Sequence, residues 1–281
     1  MLDETEKTRK MLKALEERFQ NGDISQEEYN ALKMKYQARL EQTDADQEDL
    51  GEHVPKKATP RMVSISGSGQ VTDDYVSISG SGSVEGWGGG SIKISGSGKV
   101  SKDKIAVSGS AKLSGDLKSE IVKSSGSLKV EGDIQARVMK CSGSTKVEGD
   151  LTAEDEAKFS GSAKIEGDLL VKEGDLDVSG AAKVEGNVEA KNAFFEGAFQ
   201  IGGDVSVETF EAEMGDKCKI DGTLRARDVS IKQDRRRAYL RVKAIEATGN
   251  VYLEGVSADL VSGEKVEIGP ECDIKEVREK S

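Results

Sequence analysis

The chain has 281 residues, enough for one large unit beside a small one, and carries a formal charge of −11. That charge argues against general binding to nucleic acid, whose phosphates repel an acidic body. With 32 glycines, 3 prolines and 4% aromatic residues, the composition suits a narrow interior filled layer by layer better than a thick globular core.

Taken from the beginning, residues 1–42 read as a small α-helical hairpin. Leu12, Leu15 and Phe19 share one helical face, and Asn21-Gly22 ends the first helix. Ser25 and Glu28 form an S-x-x-E capping box for the second, flanked by Ile24 and Tyr29. Its apolar face is Tyr29, Leu32, Tyr36 and Leu40. So small a face barely supports an independent fold, so pairing between chains is expected through Leu12, Leu15, Phe19, Tyr29, Leu32 and Tyr36. A lone hairpin, or one docked on its own chain, is the alternative. Residues 43–62 are acidic, then carry Pro55 and Pro60, and read as a linker. The sole histidine, His53, lies there without a partner for catalysis or metal binding.

Residues 63–281 are expected to form a β-solenoid. They open with VSISGSG at 63–69 and again at 76–82, then IKISGSG at 92–98, which read as short first rungs or flat edge strands. Gly86-Trp87-Gly88-Gly89-Gly90 reads as a flexible insertion, Trp87 covering the solenoid end or anchoring a partner. A fuller unit then recurs, as in Cys141 to Leu151 (CSGSTKVEGDL). Its anchors Gly109, Gly126, Gly143, Gly161, Gly180, Gly197 and Asp216 are 17, 17, 18, 19, 17 and 19 residues apart. That spacing suits a β-solenoid rung of about 17–18 residues and is too short for paired helices. Alternate residues are apolar or small, as in Leu113, Val130, Val147, Ile165, Val184, Ile201 and Ile220, so these face inward.

The outward positions form columns. Lys112, Lys129, Lys146, Lys164, Lys183 and Lys219 lie beside Glu131, Glu148, Glu166, Glu185 and Asp221, so each charge has neighbours of opposite sign. A solvated wall is the plain reading; an ion- or polymer-binding stripe is the sharper one. Asp116, Asp133, Asp150, Asp168, Asn187 and Asp204 each follow a glycine, which is a corner signal, with calcium as the alternative. Beyond Leu224 the period blurs at a basic cluster, Lys232, Arg235, Arg236, Arg237, Arg241 and Lys243, read as a polar insertion in a rung rather than a site for anionic lipid or nucleic acid. Cys141 and Cys218 face inward and Cys272 lies in an apolar C-terminal segment. Three cysteines without paired spacing make neither a disulfide framework nor a zinc site, which points to a reduced cytoplasmic compartment. The charged start Met1 to Glu6 reads as no signal peptide, and no apolar run approaches membrane-spanning length.

The segment Leu15 to Leu40, through Gly22, Ile24, Glu28 and Tyr29, resembles the SHOCT family of short helical hairpins, which implies a role in oligomerisation. Residues 63–281 resemble the bactofilin (polymer-forming cytoskeletal) family, through the repeated V-E-G-[DN]-[LIV] units and the closing Gly263 to Val277 (GEKVEIGPECDIKEV). The resemblance implies a right-handed parallel β-helix that polymerises without nucleotide. Two departures are a charged helix where many bactofilins begin with a short apolar membrane-binding motif, and the hairpin itself. The VSISGSG copies also resemble adhesin-like β-solenoids, so a non-polymerising binding module with an oligomerising hairpin is the alternative.

An enzyme is the rival from another class, since β-helices host polysaccharide lyases and acyltransferases. The outward face has few aromatics and no Ser/His or Cys/His constellation, so neither catalysis nor a cofactor or metal site is expected. The expected polymer interface is the two ends of the solenoid: Val63 and Ile65 in the first strand, Val266, Ile268 and Ile274 in the last. The expected partners are other copies of the chain and, through the hairpin, cell-shape, envelope or motility proteins. The expected place is the cytoplasm, near a membrane or not, since no motif supports membrane contact.

Overall fold

The computed structural model describes residues 62–71, 75–87, 90–101 and 103–279. The expected hairpin, with Leu12, Leu15, Phe19, Tyr29, Leu32 and Tyr36, and the linker as far as residue 61 fall outside them. Every regular element among the described residues is a β-strand, and all belong to one sheet that winds through about ten turns.

Each turn contributes to three walls. The first stacks residues 104–107, 121–124, 138–141, 156–159, 175–178, 192–195, 209–212 and 228–231, and ends with 250–253 and 265–268. The second stacks 110–114, 127–131, 144–147, 162–165, 181–184 and 198–201, then 217–220, 239–242 and 256–258. The third begins at 117–119, continues through 134–136, 151–153 and 169–171, and ends with 260–263 and 276–279. All of these pairings are parallel. The parallel order follows from the repeat: identical units can place like residues over like only by advancing one full turn at each step.

The alternation read from sequence is the inside-outside pattern observed. Val147 is fully buried and lies in register between Val130 and Ile165. Cys141 and Cys218 are buried and face inward. Where neighbouring rungs supply small residues, aromatics fill the space: Phe195 lies 4.7 Å from Phe199 and 5.7 Å from Phe210, centroid to centroid. The corner between the first and second walls demands glycine. A β-carbon on Gly143 would lie 2.9 Å from the Gly126 carbonyl carbon, inside the closest approach of real side chains.

The beginning of the solenoid, expected as short rungs or flat edge strands, is built of strands and not of rungs. The strands β1 (Met62–Val71), β2 (Tyr75–Trp87) and β3 (Gly90–Ser101) form an antiparallel meander. In turn, β3 runs antiparallel to both β4 (Lys104–Val107) and β5 (Ser110–Ser114), so the meander extends the first and second walls but not the third. Each long strand bends at a glycine: Gly67, Gly80 and Gly96 are in register and have φ of 114°, 117° and 109°, a region that residues with a β-carbon rarely enter. Trp87 pairs with Gly90 across β2 and β3, while residues 88 and 89 of the expected insertion fall outside the described residues. VSISGSG alternates in either strand direction, so periodicity alone could not separate a parallel rung from an antiparallel strand.

Candidate assembly surfaces

The Gly-Asp corners carry a polar ladder. The Asp116 Oδ1 accepts the backbone N–H of Asp133 at 3.0 Å, and Asp133 accepts that of Asp150 at 2.9 Å. The ladder continues from Asp150 to Asp168 at 2.8 Å, Asp168 to Asn187 at 2.6 Å and Asn187 to Asp204 at 2.9 Å. Asp204 ends it on the Thr223 N–H at 2.8 Å. Sequence reasoning identified the corner but not this role. Each side chain satisfies a backbone donor of the next turn, a donor that an irregular corner would otherwise leave without a protein partner. The glycine before each Asp makes room for the oxygen, since a β-carbon on Gly149 would overlap Asp133 Oδ1. Among the described residues no group of acidic, His or Cys side chains is arranged to hold a metal.

The second wall carries the charge columns read from sequence. Lys129 bridges Glu131 at 2.8 Å and Glu148 at 2.9 Å. Lys146 bridges Glu148 at 2.7 Å and Glu166 at 3.1 Å, and Lys164 reaches Glu166 and Glu185. Hydrogen bonds from Lys146 and Lys129 hold the Glu148 carboxyl down at about 2. The same bonds to Glu131 and Glu148 push Lys129 up to about 12. The zigzag stops where Gln200 and Gly202 replace the next Lys and Glu. This wall is therefore neutralised from within.

The ends of the sheet lie far apart. At one end is β1, which pairs only with β2 among the described residues. It carries the expected interface residues Val63 and Ile65, and Ile65 is half-buried. At the other is the terminal rung, strands Lys265–Ile268 and Asp273–Glu279, which among the described residues pair on one side only. Val266, Ile268 and Ile274 are brought together here, in register with Val251, Leu253 and Ala258, all buried. Ile268 is 48% exposed and Val277, which the sequence reading did not single out, is 41% exposed. Val277 lies in register with the fully buried Val261. Ala258 and Val261, one turn earlier, have the same three-residue spacing as Ile274 and Val277, which was the available signal. Among the described residues, these inward-facing side chains have a rung on one side and none on the other.

Residues 142–237 match the bactofilin family model, described as polymer-forming cytoskeletal. The match covers about a third of the chain, in the middle of the solenoid. No curated protein and no solved structure matches the chain. The matched stretch ends at Arg237, in the basic cluster. There Arg235, Arg236 and Arg237 form an exposed corner loop, and Arg237 has a φ of 114°. The solenoid continues past it, so the blurred period marks an insertion within a turn of 22 residues, measured from Asp228 to Asn250. Among the described residues no helix is long and apolar enough to cross a membrane.

Proposed function

We propose that this chain is a structural protein that polymerises without nucleotide, its right-handed β-helices stacking end to end into scaffold filaments. The observation that carries this reading is the terminal rung, where Ile268 and Val277 stand open directly beneath the fully buried Leu253 and Val261. An open strand edge with an apolar row beneath it recruits another strand; Pro270 lies in the turn between the two terminal strands, and Lys265 and Glu267 pair with each other. The match to a polymer-forming family over residues 142–237 supports the same reading. The interface comprises Val266, Ile268 and Ile274 at one end and Val63 and Ile65 at the other, with filaments in the cytoplasm or beside a membrane. A SHOCT-like hairpin over residues 1–42 would pair chains or recruit envelope, motility or cell-shape partners.

The test is pelleting and negative-stain microscopy without nucleotide, comparing wild type with Ile268→Arg and Ile65→Arg. Filaments are expected for wild type and short or absent filaments for Ile268→Arg. A wild type that stays monomeric at high concentration and at every salt concentration overturns the polymer reading in favour of a lone adhesin-like solenoid.

A further inference from the structure

The first wall holds fewer ion pairs than the second, although Lys140 bridges Glu156 at 2.6 Å and Lys265 bridges Glu267. In order along the stack, its outward side chains begin with Lys99, then Ala106, Lys123, Lys140 and Lys158. Beside them run Ser97, Ser108, Ser125, Ser142 and Ser160. From Asp177 onward the sign reverses. Glu196, Glu211, Glu213, Glu254 and Glu267 occupy the same two columns in the later turns, among the uncharged Ser179, Phe194, Ser230 and Tyr252, with Lys232 the single cation. Lys123, Glu196, Glu211 and Glu213 have no ion pair among the described residues, and the two halves meet at the Lys158–Asp177 bridge. The basic half is also concave, with a groove of about 700 Å³ lined by Lys99, Lys123, Lys140, Lys158 and the serine column.

We propose that this wall is a lateral contact surface for a second copy of the chain, the two solenoids lying antiparallel. The two-fold axis would pass between the Lys158 and Asp177 rungs. Counting outward from it, Lys158 meets the second copy's Asp177, Lys140 the rung of Glu196, Lys123 that of Glu211 and Glu213, and Lys99 that of Glu254. The neutral rung of Ala106 and Ser108 meets Ser230 and Lys232. A parallel pair would instead set lysines against lysines, so the arrangement selects orientation as well as partner. Exposed pairs are individually weak and screened by salt. End-to-end filaments, on the reading proposed above, would multiply the contact along their length and convert it into bundling.

The test uses thiol cross-linking in a Cys272→Ser background, the other two cysteines being buried. Ser125→Cys and Glu213→Cys are mixed with a short bis-maleimide at low salt, on chains also carrying Ile268→Arg, so that the result does not depend on filaments. Within one chain these positions are five strand spacings apart, roughly 24 Å, beyond the reagent. A covalent dimer is expected from the mixture and not from either variant alone. Its yield should fall at least tenfold in high salt or with Lys123→Glu/Lys140→Glu, and return when Glu196→Lys/Glu211→Lys is added. No dimer, equal self-linking by Ser125→Cys, or failure of the double swap to restore it overturns the proposal. Absence of wild-type filaments would overturn only the polymer reading.

Discussion

Gly149→Ala tests the corner ladder most directly. The new β-carbon would overlap Asp133 Oδ1 and lie 2.9 Å from the carbonyl carbon and oxygen of Gly132, inside the 3.0 Å that real β-carbons keep. Relieving the overlap requires Asp133 to swing away and release the Asp150 N–H, now held at 2.9 Å. Crowding costs about 1–3 kcal/mol and the lost hydrogen bond about 1 kcal/mol, so the variant should be about 2–4 kcal/mol less stable. Asp133→Ala alone forfeits only the hydrogen bond, about 1 kcal/mol. With both changes the carboxylate is gone and only the contact with the Gly132 carbonyl remains. The double variant should then be more stable than the sum of the singles by about 1–2 kcal/mol. Urea midpoints of the four proteins measure this coupling. Strict additivity would show that the glycine is kept for a reason other than the carboxylate beside it.

Two further outcomes follow from the interior and the second wall. Among the described residues the buried hydroxyl of Ser124 has no hydrogen-bond partner, and that of Thr145 faces only the weakly bonding thiol of Cys141. Thr145→Val, nearly isosteric, should therefore raise stability by about 1 kcal/mol, read as a higher urea midpoint; a lower midpoint would reveal a partner such as bound water. In the second wall, Glu131, Glu148, Glu166 and Glu185 are all held below the ordinary 4.5 by lysine hydrogen bonds. A carboxyl whose folded value is depressed contributes stability that is full above its unfolded value and lost as pH falls through the folded one. The melting temperature should therefore decline from about pH 4.5 towards pH 2, where Glu148 titrates, and less steeply in high salt. A melting temperature flat across that range would mean that the lysine–glutamate zigzag contributes nothing.

The repeat, the buried face and the paired charge columns were legible because a period of two, iterated at nearly constant spacing, admits one inside and one outside. Val147, Glu148 and Cys141 all lie where that pattern places them. Strand direction was not legible: the 13-residue spacing from Gly67 to Gly80 suits a short rung or a hairpin arm equally, and only pairing distinguishes them. The Gly-Asp signal named a corner, but the use of the carboxylate depends on a backbone N–H one full turn later, which local sequence does not display. For the ends, the sequence marked Val266, Ile268 and Ile274 as apolar. That Ile268 is exposed follows only from there being no described turn beyond it.

The meander contains an odd number of strands. Three successive reversals leave β1 running against the direction of every turn in the solenoid. If two copies join head to tail, the strands at the joint oppose one another. If they join by like ends, the flipped axis opposes them again. Every coaxial seam between copies would thus be antiparallel, whereas every step from β4 and β5 onward inside a copy is parallel. Such a polymer is punctuated. It cannot drift into the uninterrupted parallel, in-register stacking by which strands template fibres of indefinite length, and its growth is counted in whole molecules.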